Sequence, residues 1–105
     1  MNRVIVESPF AGDTKLHIEY AQKCLLDSIN KGESPFAGHL LYTQVLNDAD
    51  FDERERGIAC ASSWYGAADK CVVYTNLGIS EGMKRGIELA TRLGKAVEFR
   101  TIPWR

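Results

Sequence analysis

Several polar residues that could do chemistry lie directly after apolar or Gly-containing segments. Glu7 and Ser8 follow the apolar run 4–6, and Ser80 follows a Gly-containing loop. A carboxyl group at Glu7 could act as a general acid or base, or could bind a ribose hydroxyl. A solvated carboxylate at the start of a loop would give the same sequence. The two serine hydroxyls could donate to a phosphate, or could serve in a turn and a helix cap.

The other candidates are aromatic and basic side chains. Phe10 and Phe36 could stack on a nucleobase or pack in the core. His39 could contact a phosphate or a base, or could pack at the start of a helix. Lys84 and Arg85 are expected to face solvent, although the first turns of a helix would let them reach a phosphate. Each of these residues therefore has a functional and a purely structural interpretation.

The composition excludes several classes of function. A net charge of −1 and a pI of about 6.1 leave no basic stripe for duplex nucleic acid. No apolar run approaches the roughly 20 residues that cross a bilayer, and no signal peptide is visible, so we expect a cytoplasmic protein. The widely spaced Cys24, Cys60 and Cys71 indicate buried, reduced thiols. They lack the spacing of a zinc site, and we expect no metal and no cofactor.

The stretch Cys71–Leu93 predicts a strand, a Gly-containing loop and a helix. Ser80 is expected to cap this helix, and Glu81 suits its positive end. A helix N-terminus can hold a phosphate or a carboxylate, although Glu81 argues against an anion directly beside it. An ordinary strand–helix unit would have the same pattern. The predicted buried face has helical spacing and consists of Ile79, Met83, Ile87 and Ala90.

Apolar periodicity and the Gly and Pro positions predict the remaining elements. They are a strand at 4–6, a helix at 15–31, a strand at 34–37, a short helix at 39–46, a helix at 53–66 and an edge strand at 96–101. Asp52, with Glu55 three residues later, fits a helix cap. Trp64 and Tyr65 are expected to pack or to form a subunit contact. The predicted inner face of the first helix is Ile18, Ala21, Cys24, Leu25, Ser28 and Ile29.

Strands that alternate with helices predict an α/β protein, a Rossmann-like (flavodoxin-like) three-layer sandwich. With 105 residues the chain is expected to form one domain, residues 1–105. We favour a four-stranded parallel sheet in the order 2-1-3-4. The chain then reverses direction between the first and third strands, and ligands of such sheets bind outside the carboxyl ends of the strands at that point. The loops that face this position are 7–13 and 76–81.

The hexapeptide Glu-Ser-Pro-Phe-Ala-Gly occurs twice, at residues 7–12 and 33–38. The flanking sequences do not match, which argues against an internal repeat. We interpret the two copies as loops of similar chemistry at two strand ends, with coincidence as the alternative.

Several short motifs together resemble those of a known superfamily. They are the segment Pro35–Leu40, a Trp-containing helix, Asp69 before a Val-Val strand, a Gly/Ser turn and a helix that ends in Gly-Lys. This pattern, which spans nearly the whole chain, resembles the nucleoside 2-deoxyribosyltransferase-like superfamily. Within it, the chain is similar to small members that are frequent in phage and prophage genomes. The resemblance implies a pocket for a nucleoside or nucleotide.

The resemblance also implies where a catalytic glutamate should be. Enzymes of the superfamily use a glutamate nucleophile in a Glu-x-Gly-x-Ala pattern near the start of the helix after the third strand. Counting back from Ala90, the glutamate position falls on Gly86, and the glycine position falls on Glu88. The nucleophile is therefore missing. Glu81 and Glu88 could replace it only with a shifted register, so the catalytic candidates are Glu7, Glu81 and Glu88.

The resemblance adds positions to the candidate binding site. Pro9 and Phe10 match a loop that packs on the base, and Asn76 lies where the family often has an Asp that touches the sugar. His39 lies where the second loop approaches the site, and Asp69 is expected to be structural. The predicted ligand-binding residues are Glu7, Ser8, Pro9, Phe10, His39, Asn76, Gly78, Ser80 and Met83.

Three classes of function remain open. The first, which the missing nucleophile favours, is a homo-oligomer that binds a nucleoside- or nucleotide-type molecule without turnover. In a phage setting, such a protein could sequester a host immune signal derived from a nucleotide. The second is an N-glycosidase or deoxyribosyltransferase that acts on nucleosides or nucleotides. The third is a structural or protein-interaction module that binds no small molecule.

Overall fold

The fold consists of four strands that alternate with helices. The computed structural model describes residues 1–105. The strands are β1 (Arg3–Glu7), β2 (Ser34–Phe36), β3 (Lys70–Tyr74) and β4 (Ala96–Arg100). The helices are α1 (Thr14–Asn30), α2 (Gly38–Leu41), α3 (Phe51–Ser62) and α4 (Glu81–Arg92), and 3-10 turns lie at Tyr42–Gln44 and Tyr65–Ala67. None of the helices has the length and apolarity that a bilayer-spanning segment needs.

All four strands are parallel, in the order β2-β1-β3-β4. This confirms the predicted α/β fold and strand order. β1 and β3 are central and mostly buried, as expected for strands covered on both faces. On one face, Val4 and Val72 pack with Tyr20 of α1. On the other face, Ile5 and Val73 belong to a second core with residues of α4 and of the turn after α3.

The predicted inner face of α1 is partly correct. Asp13 caps the helix, because its carboxylate accepts a hydrogen bond from the Leu16 backbone N–H at 3.2 Å. The buried residues are Tyr20, Ala21, Cys24 and Ser28. Ile29 was expected in this face but is 55% exposed. The face of α1 that packs on the sheet is centred on residues 20, 24 and 28. Ile29 therefore lies on the side of the helix that faces solvent.

The region between β2 and β3 differs from the prediction. The helix expected at 39–46 is a short α2 followed by a 3-10 turn, and the helix expected to reach Gly66 ends at Ser62. Asp50, not Asp52, caps α3: its carboxylate accepts from the Glu53 backbone N–H at 3.0 Å. Asp50 has the extended backbone that a cap requires, while Asp52 is already inside the first turn.

Two residues predicted to be buried are exposed. Cys60 lies on α3, a helix without any buried residue, so its thiol is exposed while Cys24 and Cys71 are buried. Ile79 is 41% exposed because it precedes the cap of α4. Gly86 takes its place in the buried face of α4, with Met83 and Ala90.

A cluster of charged side chains lies between α1 and the edge strand β4. The two terminal nitrogens of Arg100 donate to the two carboxylate oxygens of Glu33, each at 2.7 Å. Ser28 also donates to this carboxylate at 2.8 Å, and Lys70 lies 3.1 Å from it. The side chains of Arg100 and Glu33 are only 7% and 9% exposed. The Arg100 guanidinium, with help from the other donors, lowers the pKa of Glu33 to about 2.

Candidate functional site

A cavity of about 300 Å³ opens at the carboxyl end of β1. Its walls come from the loop after β1, from α2 and α3, and from the first turns of α4. This is the position where the chain reverses between β1 and β3, as the strand order requires. Such a cavity is at the lower end of the range of small-molecule pockets, about 300–1,000 Å³.

Glu7, the last residue of β1, lines this cavity and is 8% exposed. The hydroxyl of Tyr65 donates a hydrogen bond to Oε2 of Glu7. Burial raises the pKa of this carboxyl to about 8, so its protonated form predominates at neutral pH. No other side chain bonds to Glu7, and no buried side-chain oxygen lacks a partner. The second oxygen, Oε1, is therefore accessible from the cavity.

Gly86 allows the Glu7 carboxyl to lie where it does. α4 passes so close to β1 that a Cβ at position 86 would overlap the Glu7 carboxyl group and would lie 2.7 Å from the Tyr65 hydroxyl oxygen. Real Cβ atoms do not approach other atoms so closely. One space in the cavity can thus hold either a side chain from position 86 or the carboxyl from position 7, but not both.

The loop after β1 is tied to α1 and α2. The hydroxyl of Ser8 lies 2.9 Å from Nε2 of His39, and Nδ1 of His17 lies 3.0 Å from the carbonyl oxygen of Phe10. Burial, and to a lesser extent the nearby His17, lowers the pKa of His39 to about 4. A neutral imidazole can exchange hydrogen bonds with a ligand at neutral pH, but it brings no positive charge.

The start of α4 forms another wall. Ser80 caps the helix: its hydroxyl accepts from the Met83 backbone N–H at 3.3 Å. Glu81 forms an exposed ion pair with Lys84 at 3.0 Å. Arg85 and Arg54 line the cavity from opposite helices, and both residues are largely exposed. Two exposed positive side chains therefore belong to the cavity lining.

Residues 2–100 match the model of a family described as Domain of unknown function (DUF7768). The chain belongs to this family. No curated protein matches the sequence significantly.

Two solved structures resemble the DUF7768 chain in fold. One is a 2-deoxyribosyltransferase from the psychrotolerant bacterium Bacillus psychrosaccharolyticus, with a TM-score of 0.67 and 19% identity over 94% of this chain and 72% of that one. The other is the CMP N-glycosidase BcmB of Clostridium botulinum, with a TM-score of 0.55 and 15% identity over 98% of this chain and 74% of that one. At these identities the similarity shows the fold alone. It confirms the deoxyribosyltransferase-like fold that the sequence motifs indicated.

The structure of this DUF7768 chain brings many of the candidate residues together. Those that line the cavity are Glu7, Ser8, Phe10, His39, Ser80, Glu81 and Met83, and Phe36 and Arg85 join them. Pro9, Gly78 and Glu88 do not line it. Of the three carboxyl candidates, Glu7 is the one that is both buried and inside the cavity.

Asn76 lies outside the cavity lining and holds three segments of the chain together. Its side-chain oxygen accepts from the Tyr20 hydroxyl and from the Ile102 backbone N–H, each at 2.9 Å. Its amide nitrogen donates to the Ile102 carbonyl at 3.0 Å. Asp69 also has a structural contact, since its carboxylate accepts from the Arg3 backbone N–H at 2.8 Å.

Tyr65 is a cavity residue whose polar contact the sequence did not reveal. It packs in the second core, as one of the expected alternatives stated, and its hydroxyl also bonds to Glu7, 58 residues earlier in the chain. The helical period that was applied to residues 53–66 does not hold at Tyr65, because α3 ends at Ser62 and a 3-10 turn follows. The sequence shows a tyrosine directly after Trp64, but it does not show that this hydroxyl bonds to Glu7.

Proposed function

We propose that this chain binds a nucleoside- or nucleotide-type small molecule in the cavity beside Glu7. The observation that carries the proposal is the position of this cavity, which holds a buried carboxyl at the switch point of a fold shared with two nucleoside-processing enzymes. Aromatic side chains in the lining, such as Phe10, Phe36 and Tyr42, suit a flat base. The exposed Arg54 and Arg85 in the lining suit a phosphate.

The test is a binding experiment with a mixed panel of nucleosides, deoxynucleoside monophosphates, NAD and cyclic ADP-ribose-type molecules. After incubation, protein and small molecules are separated, and both fractions are analysed by chromatography before and after heat denaturation. We expect a compound of this class to leave the solution with the protein, or its free base to accumulate. If no compound is retained or changed, the proposal is wrong and the interaction module is favoured.

Cleavage of a glycosidic bond is the second candidate function, and the Glu7–Tyr65 pair favours it. A protonated carboxyl in a cavity can donate its proton to a leaving group. The absence of a side chain at Gly86 favours the other outcome, binding without turnover, which would suit sequestration of a nucleotide-derived signal. Recovery of the compound intact from denatured protein supports sequestration, and release of a free base supports cleavage.

A homo-oligomer is also part of the proposal. α3 contributes no buried residue, and Phe51 at its start and Trp64 two residues after its end are 73% and 50% exposed. A second copy could cover this surface and the cavity opening beside it. Light scattering during gel filtration measures the mass directly, and a monomer at micromolar concentration would contradict this part. The phage origin and the cytoplasmic location stay predictions.

A further inference from the structure

Three groups from separate parts of the chain meet at one point of the cavity wall. They are the carboxyl of Glu7 at the end of β1, the hydroxyl of Tyr65 in the turn after α3, and the bare backbone of Gly86 in α4. The other carboxyl groups in the lining are not buried: Asp48 and Glu53 are partly exposed, and the Glu81 side chain is 86% exposed. Glu7 is thus the one buried acid that a ligand in this cavity would touch.

We infer that Glu7 is the catalytic acid of this site, that it replaces a carboxyl that α4 could have supplied from position 86, and that its substrate is the N-glycoside of a nucleobase. The inference rests on the proposed binding of a nucleoside- or nucleotide-type molecule. Tyr65 is a positioning residue in this scheme, because its hydroxyl holds Oε2 and leaves Oε1 directed to the ligand.

The step is a hydrolysis with water as the second reactant. The Glu7 carboxylic acid gives its proton to a nitrogen of the leaving base, and the bond from that base to the sugar carbon breaks with its electron pair on the base. A water molecule adds its oxygen to the sugar carbon and gives one proton back to the Glu7 carboxylate. The products are a free base and a sugar with a new hydroxyl group, and Glu7 returns to its protonated form.

The environment of Glu7 suits an acid better than a nucleophile. Its pKa of about 8 keeps the carboxyl protonated at neutral pH, and a protonated carboxyl is a poor nucleophile but a competent proton donor. Glu7 forms no ion pair: its hydrogen-bonded neighbour is the neutral Tyr65 hydroxyl, and the bare backbone of Gly86 lies beside its carboxyl group. An ion pair in this place would have ionised the group.

The free Oε1 of Glu7, rather than the glycine at position 86, separates this inference from a purely structural role. If Glu7 served only to hold Tyr65, position 86 would still have to be glycine, but the free Oε1 would have no function in the cavity. A Glu7→Gln variant keeps the shape and the acceptor for Tyr65, and removes only the acid. It is therefore expected to fold and to bind, and to lose turnover.

The experiment uses the full chain and a panel of ribo- and deoxyribonucleosides and their 5′-monophosphates. Free base is measured by chromatography, and binding by equilibrium dialysis, for the wild type, Glu7→Gln, Tyr65→Phe and the control Glu55→Gln. The control removes an exposed carboxyl from α3 outside the cavity. We expect Glu7→Gln to lower base release by about 100- to 10,000-fold while binding persists. We expect the control to behave like the wild type.

The pH profile tests the acid role directly. Base release by the wild type should fall as the pH rises through about 8, where Glu7 loses its proton. In Tyr65→Phe the carboxylate loses a hydrogen-bond donor, so its pKa rises further and the fall should move to higher pH. A tyrosine that only packs would leave the position of this fall unchanged.

The outcomes distinguish the inference from the proposed function. Binding by the wild type without base release would overturn the catalytic role and leave the binding proposal in place. Neither binding nor release would overturn both. Release that persists in a folded Glu7→Gln variant would show that another group is the acid.

A relocation variant tests the exchange between positions 7 and 86. In Glu7→Ala/Gly86→Glu the new side chain can enter the space that the shortened one has left, once the Tyr65 hydroxyl shifts from its Cβ. We expect this variant to release more base than Glu7→Ala alone. If it folds and is no more active than the single variant, the two positions are not interchangeable and that part of the inference is wrong.

Discussion

The two copies of the hexapeptide Glu-Ser-Pro-Phe-Ala-Gly have identical sequences and different structures. The first copy, residues 7–12, begins at the last residue of β1 and continues as the loop that borders the cavity. The second copy, residues 33–38, begins one residue before β2, so that its Ser-Pro-Phe segment is the strand itself. The same six residues therefore leave a strand in one place and enter a strand in the other.

The two glutamates of these copies have pKa shifts of opposite sign. Both are buried, at 8% exposure for Glu7 and 9% for Glu33. Glu33 receives hydrogen bonds from Arg100, Ser28 and Lys70, which stabilise its charged form and lower its pKa to about 2. Glu7 has only the Tyr65 hydroxyl, and burial raises its pKa to about 8. Spatial neighbours, rather than local sequence, therefore make one carboxylate structural and leave the other available for chemistry.

Removal of the Arg100 charge should have the largest effect on stability. Arg100→Met leaves Glu33 buried without its bidentate partner, and breaking a buried pair in this way costs about 3–5 kcal/mol. Urea unfolding at pH 7 measures the loss. Arg105→Met is the matched control, because Arg105 forms a pair of the same length, 2.7 Å, with Glu19 at the surface. Arg105→Met should lower the free energy of unfolding by less than about 1 kcal/mol. Equal losses in the two variants would mean that the cluster around Glu33 does not stabilise the fold.

The effect of Glu7→Gln on stability should have the opposite pH dependence from the effect of Glu33→Gln. The folded pKa of Glu7 lies above its ordinary value of 4.5, so the folded state binds more protons than the unfolded state between pH 4.5 and about 8. The contribution of Glu7 to the stability of the wild type is fully present below pH 4.5 and is lost as the pH rises to about 8. The glutamine does not titrate. The free energy of unfolding of the variant, relative to that of the wild type, should therefore rise by about 3 kcal/mol between pH 5 and pH 7.5.

The Glu33→Gln variant is the control for that comparison. The folded pKa of Glu33 is about 2, so its stabilisation is present above pH 4.5 and is lost as the pH falls through 2. The difference in the free energy of unfolding between this variant and the wild type should therefore shrink at low pH and stay constant between pH 5 and pH 7.5. Chemical unfolding over this pH range measures both variants. A Glu7→Gln difference that is also constant over that range would mean that Glu7 is ionised in the folded protein.

The sheet and the helices α1 and α4 were predictable from the sequence because each has its own local signal. The apolar runs at 4–6 and 71–75 gave the two central strands, and Ser80 and Gly94 gave the ends of α4 within a few residues. Right-handed connections leave few possible strand orders, and the order 2-1-3-4 favoured among them is the one observed. These signals depend on residues that are near one another in the chain.

The candidate site was predictable only in part, because its decisive contacts join distant residues. Glu7, Ser8 and His39 were found from their positions at strand and helix ends. The pairing of Tyr65 with Glu7 was not found, and neither was the contact between Glu7 and Gly86, 79 residues apart by number. The sequence showed that position 86 lacks a side chain, but only the packing of α4 against β1 shows what fills that space.

The contact at Gly86 gives the smallest of the three stability effects. Gly86→Ala places a Cβ against the Glu7 carboxyl and the Tyr65 hydroxyl, and overpacking of this kind costs about 1–3 kcal/mol. The same change in a Glu7→Ala background should cost less, because the overlapping carboxyl is gone and only the Tyr65 hydroxyl still has to shift. Thermal and urea unfolding of the wild type, the two single variants and the double variant give the coupling between the positions.

Gly82→Ala is the control for this cycle, since the nearest atom to a Cβ at position 82 is the Ser80 hydroxyl oxygen at 3.9 Å. Both glycines lie in α4, and at Gly82 the substitution should be neutral or slightly stabilising because alanine favours a helix over glycine. A cost at Gly86 that is independent of the residue at position 7 would mean that the Glu7 carboxyl does not occupy this space. A cost that disappears with Glu7→Ala would mean that α4 and the first copy of the hexapeptide are fitted to each other. The second copy has no such constraint on Glu33, because its carboxylate is held by charged side chains rather than by a bare helix backbone.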